Sequence, residues 1–492
     1  MRDSEMTKQV VTLSVYRFDP GASAPPHYDE FQIPYSKGLT VLEGLIYAYE
    51  NLDSSLSFRW SCKNVQCGTC GMLVNGKAVL ACERKLEVGE TVQVDPFPIP
   101  VIRDVVTDFS AIEDKTVRVF SKLTPAGRPE RLSPKEVSPL ISLHKCLDCH
   151  ICDIICPLNK GKPIIGRGSF LPSDLVQLAS MVFDSREGED RRGLAYSRRM
   201  YECLTCGVCV KACPVDIDIV NDVIERLRQD FMKMGGDPYR KLFDPKHWVE
   251  RWVELNGEPF LSEAKDAYRV SEPKGEVGFF VGCLMNRRQQ ALAMGVIRVL
   301  NKANFDVIVP RDQKCCGQPL MRLGMVEEAK GLLRKNISLF ETSGVNKVVT
   351  ACPDCSFGFR SDYARLVGNE EPKPRFEILD LIQLLPEIEV NKAENIACHN
   401  PCYLSKQGIR LSEELAKKGA KIGEVVEDCC GAGGGVYFTN VNVADGIARN
   451  TLSSIKSDAI LTGCPFCKEQ FEKILNSKKR VKHYAELWID HM

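Results

Sequence analysis

The segment Val10-Val11-Thr12-Leu13-Ser14-Val15-Tyr16 alternates apolar and polar positions with period two, the pattern of a half-buried strand, and a helical stretch follows from about Leu42 to Asn51. The first 110 or so residues read as β-rich on this basis. Between 121 and 140, four prolines and many charges suit a linker. Residues 141–235 hold two closely similar cysteine runs separated by helical sequence. A second internal repeat occupies 278–492, each copy with a strand-like run, a Cys, a Cys-Cys pair, a helix, another strand and Cys-Pro-x-Cys. The second strands, Lys347-Val348-Val349-Thr350-Ala351 and Asp458-Ala459-Ile460-Leu461-Thr462, run straight into their Cys-Pro. Cysteines are thereby predicted at strand carboxyl ends, where α/β layers place their sites.

A length of 492 residues is a prior for about three domains, more if they are small. Lys+Arg and Asp+Glu are both 65, so the zero net charge argues against a nucleic-acid partner, which would need a basic surplus. No apolar run approaches the roughly 18 residues needed for a transmembrane segment. The longest, such as Val277 to Gly282, read as buried strands, and Met1-Arg2-Asp3-Ser4-Glu5 has no apolar region of a secretory signal. A cytoplasmic location is the expectation, and it changes the meaning of the 23 cysteines: in a reducing compartment metal-bound thiolates are favoured over disulfides.

Twenty-two of the 23 cysteines fall into five arrays. Cys62-x4-Cys67-x2-Cys70, with Cys82 further on, has plant-type [2Fe–2S] spacing. Asn75-Gly76 is a two-residue hairpin signal that would return Cys82 beside Cys70. A four-thiolate zinc site is the alternative, although zinc usually takes two separated Cys-x2–4-Cys pairs. Cys146-x2-Cys149-x2-Cys152-x3-Cys156-Pro157 is a bacterial ferredoxin run, repeated by Cys203-x2-Cys206-x2-Cys209-x3-Cys213-Pro214. In such runs the fourth Cys ligates the other cluster. One [4Fe–4S] is therefore assigned to Cys146, Cys149, Cys152 and Cys213, and a second to Cys156, Cys203, Cys206 and Cys209. His144 and His150 flank a set whose thiolate count is already complete.

The C-terminal copies are Cys283-x31-Cys315-Cys316-x35-Cys352-x2-Cys355 and Cys402-x26-Cys429-Cys430-x33-Cys464-x2-Cys467. Five thiolates per copy exceed what tetrahedral zinc or an ordinary cubane uses. They suggest one or two further non-cubane [4Fe–4S] clusters, with zinc in one copy left open. Cys398 is the unassigned cysteine: a stand-in for Cys402, a thiol near substrate, or a plain buried thiol. His399 is a proton shuttle or a structural residue. The glycine run Gly431 to Gly435 reads as close backbone packing, and the basic run Lys478-Lys479-Arg480-x-Lys482-His483 as a solvated helix face, with attraction of an anionic thiol as the alternative.

Over roughly residues 9–235 the order of arrays, with Phe58-Arg59-Trp60-Ser61-Cys62 and Pro100 to Val106, resembles the iron–sulfur subunits of succinate dehydrogenases and fumarate reductases. Quinone-linked members often lack the cysteine matching Cys206 and hold a [3Fe–4S] cluster there; the cysteine present here implies a cubane. The two five-cysteine copies resemble the cysteine-rich domains of heterodisulfide reductases. Together the resemblances imply a multidomain fold: a β-grasp [2Fe–2S] ferredoxin domain over 1–110, an α-helical ferredoxin domain with two [4Fe–4S] clusters over 111–270, and α/β cysteine-rich domains over 271–392 and 393–492. They also imply an oxidoreductase subunit that oxidises the thiols coenzyme M and coenzyme B to their heterodisulfide. Because no flavin motif is present, fumarate would be reduced by a separate flavoprotein partner. The iron–sulfur subunit of a quinone-linked succinate dehydrogenase or fumarate reductase is the alternative.

Overall fold

The computed structural model describes residues 9–113, 123–124, 127, 131–160, 170–197, 199–235, 259–368, 372–387 and 396–489. The chain divides into two compact units, one of residues 1–200 with 207–224, the other of 201–206 with 225–492. The expected domain boundary at 392/393 lies outside the described residues.

In the first unit, β1 (Val10–Arg17), β2 (His27–Pro34), β3 (Gly71–Val74), β4 (Lys77–Leu80) and β5 (Thr91–Asp95) form one sheet in the order β2-β1-β5-β3-β4. The β1/β5 pair is parallel and the others antiparallel. The period-two pattern of β1 buries Val11, Leu13 and Val15 completely, each contributing about 1.5–3 kcal/mol of transfer free energy. Helix Val41–Asn51 starts at a capping box in which Thr40 and Glu43 satisfy each other's backbone N–H groups. Asn75 and Gly76, both at positive φ (50° and 72°), turn β3 into β4 as the dipeptide predicts. Two short strands, β6 (Val101–Arg103) and β7 (Val106–Thr107), follow.

The expected linker is helical at its end. Helix Pro134–Ile141 has Ser133 and Glu136 as its capping box and Pro134 in the first turn, where a missing N–H costs nothing. Ile151 and Leu171 join the core of the β-rich segment, so the first ferredoxin run and the sheet share one apolar interior.

In the second unit, β8 (Ala267–Tyr268), β9 (Gly275–Phe279), β10 (Phe305–Ile308), β11 (Lys347–Thr350) and β12 (Glu377–Asp380) form a sheet ordered β12-β11-β9-β10-β8. The strands β13 (Ile396–His399), β14 (Glu424–Val426), β15 (Ala459–Thr462) and β16 (Arg480–His483) form another, ordered β14-β13-β15-β16. Reversed, the second order superposes on β12-β11-β9-β10 strand for strand, so the cysteine repeat is also a topological repeat. All pairs are parallel except β8/β10. The fully buried runs Val348–Thr350 and Ala459–Thr462 are what a parallel sheet covered on both faces requires. One core joins both sheets, with Val277, Phe279 and Val349 alongside Cys398, Leu461 and Tyr484. The basic run expected on a helix face is instead mostly strand β16, whose alternation exposes Arg480 and buries Val481 and His483. Among the described residues no helix is long and apolar enough to cross a membrane.

Candidate metal centre

None of the 23 cysteines is joined in a disulfide. Cys62, Cys67 and Cys70 lie on the loop before β3, and Cys82 lies just beyond β4. The loop turns its amides inward: Asn64 N–H and Gln66 N–H donate to Cys62 Sγ at 3.4 and 3.3 Å. Lys63, Val65 and Gly68 all have positive φ. Burial works upward on the Cys67 thiol but is outweighed by hydrogen bonds from the Cys62 main chain and Thr69, leaving it at about 6. Burial pushes Cys70 up to about 12. A Cβ on Gly68 would lie 2.4 Å from Leu147 O. The first array therefore rests directly on the loop of the second.

The ferredoxin runs repeat the same device. The second and fourth residues after the leading Cys are left-handed in both, Asp148 and His150 (φ 49° and 57°) in one, Thr205 and Gly207 (50° and 81°) in the other. This curl gathers three thiols on one side of the loop, and Cys149 and Cys152 lie within electrostatic reach of Cys213 and Cys209 respectively. Burial pushes Cys146 to about 12 and Cys149 to about 11. His150 is buried, bonded to Asp153 at 2.9 Å and stacked on Phe109, an orienting role rather than a ligand's.

In the second unit every array cysteine of 283–467 follows the carboxyl end of a strand, as the repeat predicts. Cys352 and Cys464 are N-caps, each followed by a proline in the first helical turn, so the partial positive charge of the helix start faces the thiols. The Cys-Cys pairs are followed by left-handed glycines, Gly317 (φ 80°) and Gly431 (φ 83°). Gly317 N–H donates to Cys315 Sγ and Gly431 N–H to Cys429 Sγ, both at 3.4 Å. Any Cβ there would strike backbone, 2.9 Å from Ala329 O or 2.3 Å from Ala444 O. Hydrogen bonds from Cys315 and Cys355 lower Cys316 to about 5. Burial raises Cys402.

Both copies open onto a single cleft. Cys283, Cys316, Cys352 and Cys355 line one side; Cys402, Cys430, Cys464 and Cys467 line the other. Leu284, Met285, Phe438 and Phe466 supply apolar wall. The sides touch where Asp354 accepts from Cys464 Sγ at 3.3 Å, and Cys352, Asp354 and Cys464 offer ligand atoms within 4.8 Å of one another. Asp354, the one carboxylate among the described residues of the cleft wall, is held well above the ordinary carboxylate range by burial.

Arg322 also reaches the wall. It is bonded to Glu225 and, at 2.6 Å, to Asp362, while Arg365 closes the set with bonds of 2.9 and 3.0 Å to the same two carboxylates. Sequence reasoning misses Asp354, Gln318 and Arg322. Their position inside Cys-Pro-x-Cys or just after Cys-Cys-Gly is the available signal. Cys398 is fully buried on β13, with burial raising its thiol to about 12. His399 is structural, its ring nitrogens bonded to Thr462 Oγ1 and Asp428 O at 3.0 Å each.

An all-sulfur donor set, inward amides and glycines that admit no side chain suit iron–sulfur clusters at these positions. Residues 12–114 match a family described as 2Fe-2S iron-sulfur cluster binding domain, and 277–360 and 396–472 match one described as Cysteine-rich domain. The chain is 30% identical to a subunit of the fumarate reductase (CoM/CoB) of Methanothermobacter marburgensis, covering 97% of this chain and 98% of that one. It is 32% identical to an uncharacterized iron-sulfur protein of Methanocaldococcus jannaschii over 96% of each. A subunit of the dihydromethanophenazine:CoB–CoM heterodisulfide reductase of Methanosarcina barkeri is 28% identical over 71% of this chain and 92% of that one. A crystal structure of a hypothetical protein from Helicobacter pylori shares the fold over 98% of this chain and 95% of that one (TM-score 0.62, 12% identity).

Proposed function

Because this chain belongs to the same family as the Methanothermobacter fumarate reductase (CoM/CoB) subunit, a family of iron–sulfur oxidoreductase subunits, we propose that it oxidises coenzyme M and coenzyme B to their heterodisulfide. The electrons go to a flavoprotein partner that reduces fumarate to succinate. Two thiols lose two electrons and two protons, and fumarate takes up both. The clusters supply one-electron acceptance beside a sulfur-binding iron.

In this reading Cys62, Cys67, Cys70 and Cys82 hold a [2Fe–2S] cluster in a β-grasp domain. Cys146, Cys149, Cys152 and Cys213 hold one [4Fe–4S], and Cys156, Cys203, Cys206 and Cys209 the other. The two five-cysteine sets hold non-cubane clusters. The single observation that carries the proposal is the cleft lined by four cysteines of each copy: two thiols that must become one disulfide need one chamber. Leu284, Met285, Phe438 and Phe466 give it an apolar wall, and Asp354 places a carboxyl group on it. The twelve cysteines before residue 270 are all used in closing three clusters, which leaves thiol chemistry to the C-terminal ten.

The test replaces Cys429 and Cys430 by Ala in the complete complex. EPR should still show the clusters before residue 270, and dye-linked fumarate reduction should persist while thiol oxidation is lost. Unchanged thiol oxidation in a variant whose C-terminal cluster is gone would overturn the proposal.

A further inference from the structure

Helix Cys402–Lys406 begins at an array cysteine of the second copy and ends one turn later at a lysine. The ammonium group of Lys406 donates to the main-chain oxygen of Thr205 at 2.6 Å. It lies 4.2 Å from the centre of the Tyr403 ring and 5.4 Å from that of Phe357. Thr205 stands between Cys203 and Cys206, and its hydroxyl is bonded to Tyr403 Oη at 2.9 Å. Among the described residues no carboxylate pairs with Lys406.

The surroundings hold this lysine in place. The glycine run after Cys429-Cys430 lies on the main chain of the Cys203 loop: a Cβ on Gly433 would be 2.7 Å from Leu204 O, and one on Gly434 2.3 Å from Cys203 O. Arg228 ties the layers together, donating to Cys203 O at 2.9 Å and to Gly434 O at 3.3 Å. Burial raises the thiols of Cys203 and Cys402; against it, Arg228 and Lys406 favour the negative form of Cys203, and Lys406 that of Cys402. Cys206 in turn is among the charges felt by Cys402 and Cys429. The second ferredoxin run and the second copy thus share the half-buried ammonium group of Lys406, in addition to the Arg228 charge at Cys203, in a setting where Coulomb interactions are screened less than in water.

We propose that Lys406 is a redox-positioning residue whose ammonium group raises the reduction potentials of the clusters bound at Cys203–Cys206 and at the array beginning with Cys402. A cluster gains one negative charge on reduction, and a fixed cation beside it stabilises that state. One cation placed between two clusters moves both potentials in the same direction. This inference rests on the cluster assignments of the proposed function but not on the identity of the thiol substrates.

The experiment is a dye-mediated redox titration of the complete complex followed by EPR, with Lys406→Gln, Lys406→Met and Lys406→Arg compared with wild type. Gln keeps a donor for Thr205 O and removes the charge; Met keeps the stem alone; Arg keeps the charge. Midpoint potentials of the second [4Fe–4S] and of the second-copy cluster should fall in Gln and Met and return toward wild type in Arg. The [2Fe–2S] potential should stay put, and iron and sulfide content should be unchanged. Unchanged potentials in a fully loaded Gln variant overturn the proposal, as does a fall of equal size in Arg. Should Met lose clusters, Gln against Arg decides. No thiol is used in the titration, so a failure here is distinct from a failure of the coenzyme M and coenzyme B reading, which thiol oxidation by the wild type tests separately.

Discussion

Substituting Gly434 by Ala tests how tightly the second copy is seated on the Cys203 loop. The residue has φ 65°, and an added Cβ would stand 2.3 Å from Cys203 O and 2.8 Å from two Leu204 backbone atoms. The left-handed conformation costs an L side chain about 1–2 kcal/mol, and an extra methyl in a closed contact about 1–3 kcal/mol. Backbone cannot swing aside as a side-chain tip can, so the Cys203 carbonyl must retreat by roughly 1 Å to reach ordinary contact. That retreat pulls at the Arg228 bonds to Cys203 O and Gly434 O. A loss of about 2–5 kcal/mol is expected, with a fall of several degrees in Tm and a broadened or lost EPR signal from the second [4Fe–4S]. Gly446→Ala is the control: it lies within helix Val441–Ser453 with nothing within 4 Å of its added Cβ, and helix propensity predicts a gain of about 0.8–1 kcal/mol. Anaerobic thermal unfolding and EPR of the two variants check the pair. A Gly434→Ala protein with wild-type Tm and wild-type signal would refute the packing argument.

Arg322→Met should destabilise by about 3–5 kcal/mol, because Glu225 and Asp362 would stay buried with one cation fewer; denaturant unfolding against the Arg322→Met/Glu225→Gln double variant measures the coupling. Wild-type protein should show no stoichiometric [3Fe–4S] EPR signal when oxidised anaerobically, whereas Cys206→Ser should create one, since three thiolates can still hold three irons. Cys67→Ser should abolish thiol-dependent fumarate reduction and spare dye-dependent reduction; equal loss of both would place the electron path elsewhere. Burial raises Asp380 to about 7, so the folded state holds a proton that the unfolded chain releases near its ordinary value of 3.8. Stability from this group is full below that value and is lost as pH rises toward 7, by up to about 1.4 kcal/mol per unit. Asp380→Asn should flatten that part of the stability–pH curve measured by unfolding.

Features carried by a few consecutive residues were legible in the sequence. The curl of Cys-x2-Cys-x2-Cys, the Asn75-Gly76 turn and the strand entering each Cys-Pro depend on local backbone preferences, and the structure reproduces each of them. The doubled cysteine pattern likewise announced a doubled topology. Local pattern misjudged segments whose state depends on a distant neighbour. The basic run from Lys478 is polar enough for a solvated helix, yet it is drawn largely into β16 because β15 offers it a free edge to pair with. For His399 the sequence leaves a proton shuttle and a structural residue open, and Thr462 and Asp428, 63 and 29 residues away, decide for the structural one by occupying both ring nitrogens. The facing of the two copies across one cleft, the clamp of Arg322 by Glu225 and Asp362, and the seat of Lys406 on Thr205 join residues separated by 40 to 201 positions. Spacing along a chain specifies what a loop can wrap, because the wrapping is done by bonds a few residues long. Which wrapped loops share a chamber or a charge is decided by packing free energy spread over a whole core, and only the tertiary structure expresses it.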